Sequence, residues 1–335
     1  MIVQFPPEYV QQQNVAGGGT PSGFGMTSKQ FGNENVCGVI VTYNPDCSIT
    51  DNVLALLPQV AMVFVVDNGS SESSLAYLSE LHTFDNVTLI RNGANLGIAA
   101  AFNIGVRKAG EAGCRWVATF DQDSRVPAGF IALLLATLEQ CPFKDQVALI
   151  APLLQDPVTG LSGSHGSKGE RVPFEEVPVT ISSGCLLRYE AFERAGLFDE
   201  ALFIDYVDHE YCLRLRSAGF RLIESKSAVL EHRIGATTRH AILGMPVKVT
   251  NHLPLRRYYM TRNRLLLYWR YGRHFPVWAV NDCFCMLKEL VGIVLFEEQK
   301  MEKLAMMLLG FVHCLTGRRG QLLSGGGVGV GSAQP

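Results

Sequence analysis

Short apolar runs rich in β-branched residues recur along the first half of the chain, and polar, turn-forming residues follow each run. Runs of this length and composition predict buried strands. We predict five strands, at residues 36–42, 61–66, 87–90, 115–120 and 147–151. Longer segments that mix apolar and polar positions lie between them and are predicted to be helices, at residues 49–57, 73–81, 98–109 and 129–141.

Strands that alternate with helices in this way predict a Rossmann-like α/β fold with a mostly parallel sheet and right-handed crossovers. Ligands bind such open sheets beyond the carboxyl ends of the strands. Polar residues follow four of the predicted strands: Thr42-Tyr43-Asn44, Asp67-Asn68, Arg91 to Asn95, and Asp121-Gln122-Asp123. We expect these side chains to converge at one edge of the sheet.

The composition changes at both ends of the chain. Residues 1–35 are rich in Gln, Gly, Ser and Asn, and residues 324–335 are rich in Gly, so both segments are predicted to be disordered. Between them, residues 36–250 are predicted to form the α/β domain. Residues 251–323 lack strand-like runs and are predicted to form a helical appendage.

Charge and cysteine content restrict the class of protein. The 335 residues carry a formal net charge of −2, which gives no global basic field for nucleic acid. Nine cysteines are present, mostly within apolar runs and never as a CxxC pair, so we expect reduced thiols in a cytoplasmic protein rather than a zinc site. Neither a signal peptide nor a membrane-spanning apolar stretch is expected.

Two carboxylates stand immediately after the fourth predicted strand, at Asp121 and Asp123. Carboxylates at i and i+2 after a buried strand suit Mg²⁺ or Mn²⁺, with positions left open for phosphate oxygens. The same pattern alone would equally suit a turn whose Asp residues cap the next helix. At the second strand end, Asp67 suits a hydrogen bond with a nucleoside, although an Asx turn explains Asp67-Asn68-Gly69 as well.

Small residues open the third predicted helix, from Gly97 onwards, and its first N–H groups are candidates for facing a phosphate. Close packing of that helix on the sheet is the alternative explanation. No GxGxxG motif follows the first strand, which disfavours a nicotinamide-binding fold.

A dense ionisable cluster lies between residues 203 and 214. If the chain is helical from about Val207, Asp208 lies at the helix start and Arg214 lies one turn beyond Glu210. An ionised carboxylate here is a candidate general base, and a solvated, capped helix start is the alternative. Further along, His232 follows an apolar run and is either a metal ligand or a structural histidine.

Together these segments resemble the family 2 glycosyltransferases with a GT-A fold. The matching segments are Thr42-Tyr43-Asn44-Pro45, Asp67-Asn68-Gly69-Ser70, Asn95-Leu96-Gly97 with Asn103, Asp121-Gln122-Asp123, Ser183-Gly184, and Asp208-x-Glu210 with Arg214. Their order and spacing over residues 36–240, rather than any single segment, carry the resemblance. It implies inverting transfer of a sugar from a nucleotide diphosphate, with a divalent cation, Mg²⁺ or Mn²⁺, as cofactor.

The resemblance also implies roles for individual residues. Asp208 matches the catalytic base; because relatives carry an acidic residue where this chain has Val207, Glu210 stays an alternative base. The residues matched to the nucleotide-sugar site are Thr42, Tyr43, Asn44, Asp67, Arg91, Asn95, Gly97, Asn103 and Asp121. The matched metal ligands are Asp121, Asp123 and His232, and the matched acceptor-side residues are Ser183, Gly184 and Asp205.

Four further segments are similar to dTDP-L-rhamnose-dependent rhamnosyltransferases: residues 181–187, 202–205, 230–235 and 254–259. This similarity implies dTDP-L-rhamnose as the donor. Within the subgroup it extends to enzymes that rhamnosylate a mono-rhamnolipid, which implies a di-rhamnolipid product. The alternative acceptor is a lipid-linked precursor of O-antigen or another cell-surface polysaccharide. A non-catalytic nucleotide-sugar-binding protein is the rival of a different class, and the presence of both Asp208 and the metal-ligand set argues against it.

The C-terminal region mixes arginines with aromatic residues up to Arg273, and residues 277–316 are mostly apolar with scattered charges. Amphipathic helices on an anionic membrane would explain this composition. Helices packed on the catalytic domain would explain it as well. Because the implied acceptor is a lipid, we expect peripheral contact with the inner face of the cytoplasmic membrane.

Overall fold

A computed structural model of the chain describes residues 35–155, 172–231, 238–242 and 245–322. The segments predicted to be disordered, residues 1–35 and 324–335, lie outside the described residues except for residue 35.

The strands form an eight-stranded sheet and a separate hairpin in the described part of the chain. In the large sheet, the order is β3-β2-β1-β4-β7-β5-β8-β6. Its strands are β1 (Val36–Thr42), β2 (Met62–Asp67), β3 (Val87–Arg91), β4 (Trp116–Asp121), β5 (Val147–Gln155), β6 (Phe174–Glu176), β7 (Cys185–Arg188) and β8 (Arg221–Glu231). The hairpin consists of β9 (Thr238–Ile242) and β10 (Met245–Val249). All five strands predicted from the sequence are present. Their first residues differ from the predicted ones by at most one position, and β5 extends further, to Gln155.

The sheet is mixed. Strands β1 to β4 are parallel to one another, as are β5 and β8. Strand β7 runs antiparallel between β4 and β5, and β6 runs antiparallel to β8. The expected α/β fold and its parallel half are therefore confirmed, and the sequence pattern missed the antiparallel strands. Strand β7 is only four residues long, and a run that short gives little periodicity to detect.

Helices cover both faces of the sheet. They are α1 (Ser48–Leu56), α2 (Glu72–Leu78), α3 (Ile98–Glu111), α4 (Phe130–Glu139), α5 (Tyr189–Ala195), α6 (Val207–Ser217), α7 (Pro254–Tyr271), α8 (Pro276–Phe296) and α9 (Lys300–Leu315). Helices α1, α2 and α4 supply buried side chains to one core, and α3, α5, α6 and α7 supply them to the other. Strand β1 serves both cores, because alternate side chains of a strand point to opposite faces. Val39 and Val41 belong to one core and Ile40 to the other.

The helical appendage consists of α7, α8 and α9. Glu297, after α8, accepts charged hydrogen bonds from Arg257 of α7 at 2.6 Å and from Lys303 of α9 at 2.9 Å. All three side chains are almost fully buried. No helix in the described segments is long and apolar enough to cross a membrane.

Cys37 and Cys114 form a disulfide, with their Cα atoms 5.9 Å apart. The expectation that every thiol is reduced is therefore wrong for this pair. The two cysteines are 77 residues apart, and the pairing of β1 with β4 brings them together, so their proximity is not visible in the sequence. The other seven cysteines are free.

Candidate active site

The carboxyl ends of β1 to β4 lie side by side at one edge of the sheet. The register pairs Thr42 of β1 with Asp67 of β2, and Asp67 in turn with Arg91 of β3. On the other side of β1, Asp121 at the end of β4 pairs with Val41. The prediction that these polar strand ends converge is confirmed.

Asp67 fixes the ends of β1 and β2 relative to each other. Its buried carboxylate accepts hydrogen bonds from the Thr42 hydroxyl at 3.5 Å, from the Ser70 N–H at 3.3 Å, and from the Ser70 hydroxyl. The N–H of Asn44 donates to the Ser70 hydroxyl oxygen at 2.8 Å, and the Asn44 side chain accepts from the Ser71 N–H at 2.8 Å. Three residues matched to the nucleotide-sugar site, Thr42, Asn44 and Asp67, thus belong to one hydrogen-bonded unit.

Asn68 joins the end of β2 to the loop before α3. Its amide donates to the Asn95 side chain at 3.0 Å and accepts from the Leu96 N–H at 3.0 Å and from the Asn92 side chain at 3.1 Å. Asn95 also accepts from the N–H of Gly97 at 3.0 Å. No separate role for Asn68 is predicted from the sequence, where the signal is its place in the same turn as Asp67.

Gly97 lies where the loop before α3 touches the turn before α6. It has a φ of +89°, and a Cβ built on it would approach the Phe203 backbone oxygen and ring to 2.6 Å. The N–H of Ile98, the first residue of α3, donates to that same carbonyl oxygen at 2.8 Å. Only glycine fits both this backbone conformation and this contact.

Arg91, which was also matched to the nucleotide-sugar site, is exposed at the end of β3.

Gln122, between the two metal-matched carboxylates, anchors the loop after β4. Its side-chain oxygen accepts from the N–H of Tyr43 at 2.7 Å, and its backbone oxygen accepts from the Asn52 side chain at 2.8 Å. The backbone of Tyr43 is thereby tied to the loop that carries Asp121 and Asp123. This role of Gln122 in holding the loop is not visible in the sequence, because Tyr43 lies 79 residues away.

Carboxylates gather around Asp121. Burial, followed by the charges of Asp123 and Asp208, raises the pKa of Asp121 to about 7, against the opposing effect of Arg256. Burial also raises the pKa of Asp205, and the Arg256 guanidinium opposes that shift. Arg256 Nε donates to Asp205 Oδ1 at 3.0 Å. Residues far apart in the sequence thus form one acidic cluster, with Arg256 as a neighbouring cation.

Carboxylate oxygens are the ligands that Mg²⁺ and Mn²⁺ prefer, so Asp121 and Asp123 offer two ligands of the right chemistry for such a cation. A dication would also offset the mutual repulsion that raises the pKa of Asp121. Within the described ranges, no three His, Cys, Asp or Glu side chains come together as a group able to hold a metal ion. The third matched ligand, His232, lies outside the described residues.

Ser183 and Gly184, matched to the acceptor side, precede β7 and lie against the end of β4. The Ser183 hydroxyl accepts from the Asp121 N–H at 3.2 Å and lies 2.7 Å from the Ser124 hydroxyl. Gly184 donates its N–H to the Thr119 oxygen at 2.7 Å. The antiparallel direction of β7 brings this loop to the same edge as the strand ends of β1 to β4.

The two candidate bases differ in burial and in hydrogen-bond partners: Asp208 is partly exposed, whereas Glu210 is buried. Helix α6 begins at Val207, as predicted, so Asp208 lies in its first turn. In the described part of the chain, Asp208 accepts one hydrogen bond, from the His209 N–H at 2.8 Å. Glu210 is 2% exposed, and its carboxylate accepts from the Arg214 guanidinium at 2.8 Å and from the Tyr271 hydroxyl at 2.7 Å. The expected pairing of Glu210 with Arg214 is confirmed.

Asn103 lies away from the strand ends, buried in α3. Its amide accepts from the Phe198 N–H at 2.9 Å and donates to the Phe198 oxygen at 3.0 Å and to Glu200 at 2.8 Å. These contacts hold residues 198–200 against α3. The predicted role of Asn103 in the nucleotide-sugar site stays a prediction.

Comparisons with known proteins agree with this architecture. Residues 37–196 match the family model described as glycosyl transferase family 2. The chain is 34% identical to the Shigella flexneri dTDP-rhamnosyl transferase RfbF, over 88% of this chain and 98% of that protein. It is 29% identical to the Mycobacterium tuberculosis N-acetylglucosaminyl-diphospho-decaprenol L-rhamnosyltransferase, over 60% of this chain and 77% of that protein.

Solved structures of similar fold include residues 1–349 of S. aureus TarS in complex with UDP-GlcNAc. That structure gives a TM-score of 0.54 at 14% identity, over 84% of this chain and 81% of that one. The mannosyltransferase PcManGT from Pyrobaculum calidifontis, in complex with GDP-Man and Mn²⁺, gives a TM-score of 0.50 at 14% identity, over 84% and 87%. These neighbours show the GT-A fold. The family model and the Shigella relative show that the chain is a glycosyltransferase and belongs to family 2 of these enzymes.

Proposed function

We propose that the enzyme transfers L-rhamnose from dTDP-L-rhamnose to a hydroxyl group of a lipid-carried sugar, with inversion at the anomeric carbon. The observation that carries the proposal is the similarity to the Shigella dTDP-rhamnosyl transferase, which spans 98% of that protein. The mycobacterial relative, whose name also specifies L-rhamnose transfer, supports the same sugar.

In the proposed reaction, Asp208 accepts the proton of the acceptor hydroxyl, and that oxygen forms a bond to C1 of rhamnose. The bond between C1 and the diphosphate oxygen breaks, and its electron pair leaves with dTDP. A β-linked donor would give an α-rhamnoside, and no covalent enzyme intermediate is needed. Asp208 is favoured over Glu210 because the oxygens of Glu210 are already bonded to Arg214 and Tyr271.

At the donor site, we propose that Asp67 and the residues bonded to it bind the nucleoside, with Arg91, Asn95 and Gly97 beside the diphosphate. Asp121 and Asp123, with His232 completing the set, would hold Mg²⁺ or Mn²⁺. That cation would supply charge stabilisation for the departing diphosphate. Ser183, Gly184 and Asp205 are proposed to face the acceptor.

Two lipid acceptors are compatible with this chemistry. The name of the mycobacterial relative specifies a sugar carried on decaprenyl diphosphate, which favours a lipid-linked precursor of a cell-surface polysaccharide. The sequence resemblance to enzymes that act on rhamnolipids favours a mono-rhamnolipid. In both cases the acceptor hydroxyl belongs to a sugar attached to a lipid.

We propose further that α8 and α9 rest on the inner face of the cytoplasmic membrane. The exposed positions of α8 are mostly apolar and include Val277, Val280, Phe284, Leu287, Val291 and Val294. Lys288 lies among them, and Arg318 is exposed beyond α9, so these positive charges near the surface suit anionic lipid headgroups. Attachment would bring the enzyme to an acceptor that is anchored in the bilayer.

Purified enzyme should be incubated with dTDP-L-rhamnose, Mg²⁺ and one acceptor at a time, and the products analysed by mass spectrometry. The acceptors are mono-rhamnolipid and N-acetylglucosaminyl-diphospho-decaprenol, and parallel reactions use UDP-GlcNAc or GDP-mannose as donor. We expect one rhamnose to be added to at least one acceptor, and EDTA to abolish the reaction. The acceptor that gains rhamnose decides between the two lipid classes.

Efficient transfer from UDP-GlcNAc or GDP-mannose, with none from dTDP-L-rhamnose, would overturn the proposed donor. Binding of dTDP-L-rhamnose without transfer to either acceptor, and without slow metal-dependent release of dTDP, would favour the non-catalytic alternative. Release of dTDP without a glycolipid product would keep the donor and direct the search to other lipid-carried sugars.

A further inference from the structure

The turn before α6 has an unusual backbone. Three of its residues have positive φ angles although none is glycine: Phe203 at 69°, Asp205 at 61° and Tyr206 at 63°. Such conformations are unfavourable for residues that carry a side chain and persist only where surrounding contacts hold them. The turn ends two residues before Asp208. Its geometry therefore determines where α6 begins and where the Asp208 carboxylate lies.

The side chain of Asn263, on α7, holds this turn. Its Nδ2 atom lies 3.0 Å from the carbonyl oxygen of Leu202, 2.8 Å from that of Ile204 and 2.9 Å from that of Asp205. Asn263 is fully buried, so water does not compete for these carbonyl groups. Three backbone oxygens from within four residues, 202–205, converge on one amide group, and a regular turn would not present them in this way.

Arg262, the preceding residue, fixes the orientation of that amide. Its Nε donates to Asn263 Oδ1 at 3.0 Å, which leaves Nδ2 facing the turn. One guanidinium nitrogen also donates to the Leu202 oxygen at 2.8 Å, and the other donates to the Gly320 oxygen at 2.6 Å. The Arg262 side chain is fully buried as well. The pair thus forms one unit attached to the backbone before the turn and to the chain after α9.

The same turn contacts the loop that carries donor-site residues. The Phe203 carbonyl accepts from the N–H of Ile98, and Gly97 packs against the Phe203 ring. On its other side, the Phe203 ring stacks on Tyr259 of α7, with ring centroids 5.3 Å apart. A shift of the turn would consequently move Asp208 relative to the loop that contains Asn95 and Gly97.

We propose that Arg262 and Asn263 are positioning residues for the proposed base, acting through the left-handed turn at residues 203–206. This proposal rests on the proposed function, in which Asp208 is the base. A role in stability alone would not require the amide to bond to these particular carbonyl groups. The positioning role predicts that loss of the amide displaces Asp208 and slows the chemical step while the donor site keeps its affinity.

The test compares Asn263→Ala with Tyr268→Phe. Tyr268 lies on the same helix and donates to Asp282 at 2.8 Å, so this control also loses one partly buried hydrogen bond, but it leaves the three carbonyl groups that face Asn263 and the bond from the Tyr206 hydroxyl to Asp282 in place. We expect Asn263→Ala to lower kcat about 10- to 100-fold, with KM for the donor changed less than about threefold, whereas Tyr268→Phe keeps its kcat. If Asn263→Ala does not fold, Asn263→Ser replaces it, because its hydroxyl reaches fewer of the three carbonyls.

Hydrogen–deuterium exchange of the peptide that covers residues 203–208 provides a readout independent of activity. We expect faster exchange in Asn263→Ala than in Tyr268→Phe when both proteins are otherwise folded. The exchange measurement still tests whether Arg262 and Asn263 hold the turn, even if the enzyme proves not to be a rhamnosyltransferase. Unchanged exchange of this peptide, or an equal kcat loss in both variants, would overturn the positioning role.

Discussion

Asp208 and Glu210 are two carboxylates in the first turn of α6, and they differ in the groups that they bond to. Glu210 is bonded to a guanidinium and a phenol, and a carboxylate in that position acts as a structural anion. Asp208 accepts its hydrogen bond from a neighbouring backbone N–H and lies close enough to Asp121 to raise that residue's pKa. In the proposed reaction, only Asp208 has oxygen available for a substrate proton.

Replacement of Asp208 by Asn should therefore remove most turnover. A general base contributes about 10²- to 10⁴-fold, and we expect a loss of kcat within that range. Binding of dTDP-L-rhamnose, measured by titration calorimetry in the presence of Mg²⁺, should stay within about threefold of the wild type.

Glu210→Gln is the matched variant on the same helix. It should lower the unfolding temperature, because the partly buried Arg214 loses its anionic partner, and it should retain more activity than Asp208→Asn. A fully active Asp208→Asn enzyme beside an inactive but folded Glu210→Gln enzyme would assign the base to Glu210.

The sequence predicted which strand ends would carry polar residues, since apolar runs that stop at Asn, Asp and Gly are visible without a structure. It did not separate Asp208 from Glu210. The deciding partner, Tyr271, lies 61 residues further along the chain. Arg256 and Asn263 were missed as site residues for a similar reason, because α7 reaches the turn before α6 only through tertiary packing.

Among the elements, α8 has the most unusual surface. Its exposed apolar residues, from Val277 to Val294, are spaced alternately three and four positions apart and form one stripe over most of this 21-residue helix. A helix of that length extends about 30 Å. A stripe this long that is not covered by the rest of the described chain indicates a surface that meets another apolar phase. The apolar composition of this region is visible in the sequence, whereas only the structure shows that the stripe is exposed.

Vesicle sedimentation should detect this surface. We expect the enzyme to bind vesicles of phosphatidylglycerol and phosphatidylcholine more tightly than vesicles of phosphatidylcholine alone. The double variant Phe284→Glu/Leu287→Glu should lose at least about tenfold in binding, because it places two charges in the apolar stripe. The control, Leu133→Glu, changes an exposed leucine of α4 and should bind as the wild type does.

The competing explanation is a dimer that buries the α8 stripe between two copies of the chain. Light scattering on the same proteins separates the two. A wild-type dimer that the α8 variant converts to a monomer, together with no binding to vesicles, would rule out membrane attachment through this helix.

At the scale of the whole molecule, three ionic side chains connect the helices of the appendage. Glu297 lies between Arg257 of α7 and Lys303 of α9, and its carboxylate also accepts from the Asn251 N–H at 3.2 Å. Because α7 carries Arg262 and Asn263, this network stabilises the helix that supports the proposed site.

Glu297→Ala should destabilise the protein by about 3–5 kcal/mol, because it leaves two cations buried without their shared partner. The neighbouring Glu298 is exposed, and Glu298→Ala should change stability by less than about 0.5 kcal/mol. Urea unfolding followed by circular dichroism measures both. Equal midpoints for the two variants would show that the buried network contributes little to the free energy of unfolding.

The position of β7 has a consequence for the order in which the protein is made. Strand β7 separates β4 from β5 in the sheet, although β5 leaves the ribosome first. The parallel group β1 to β4 is complete by Asp121, but its β4 side has no neighbour until Cys185–Arg188 has been synthesised. During that interval the nascent chain presents an open strand edge, the kind of surface that pairs with other chains. Four residues therefore close the half of the sheet that carries the proposed donor site, and their late synthesis makes this stage the one at which a nascent chain most needs protection from aggregation.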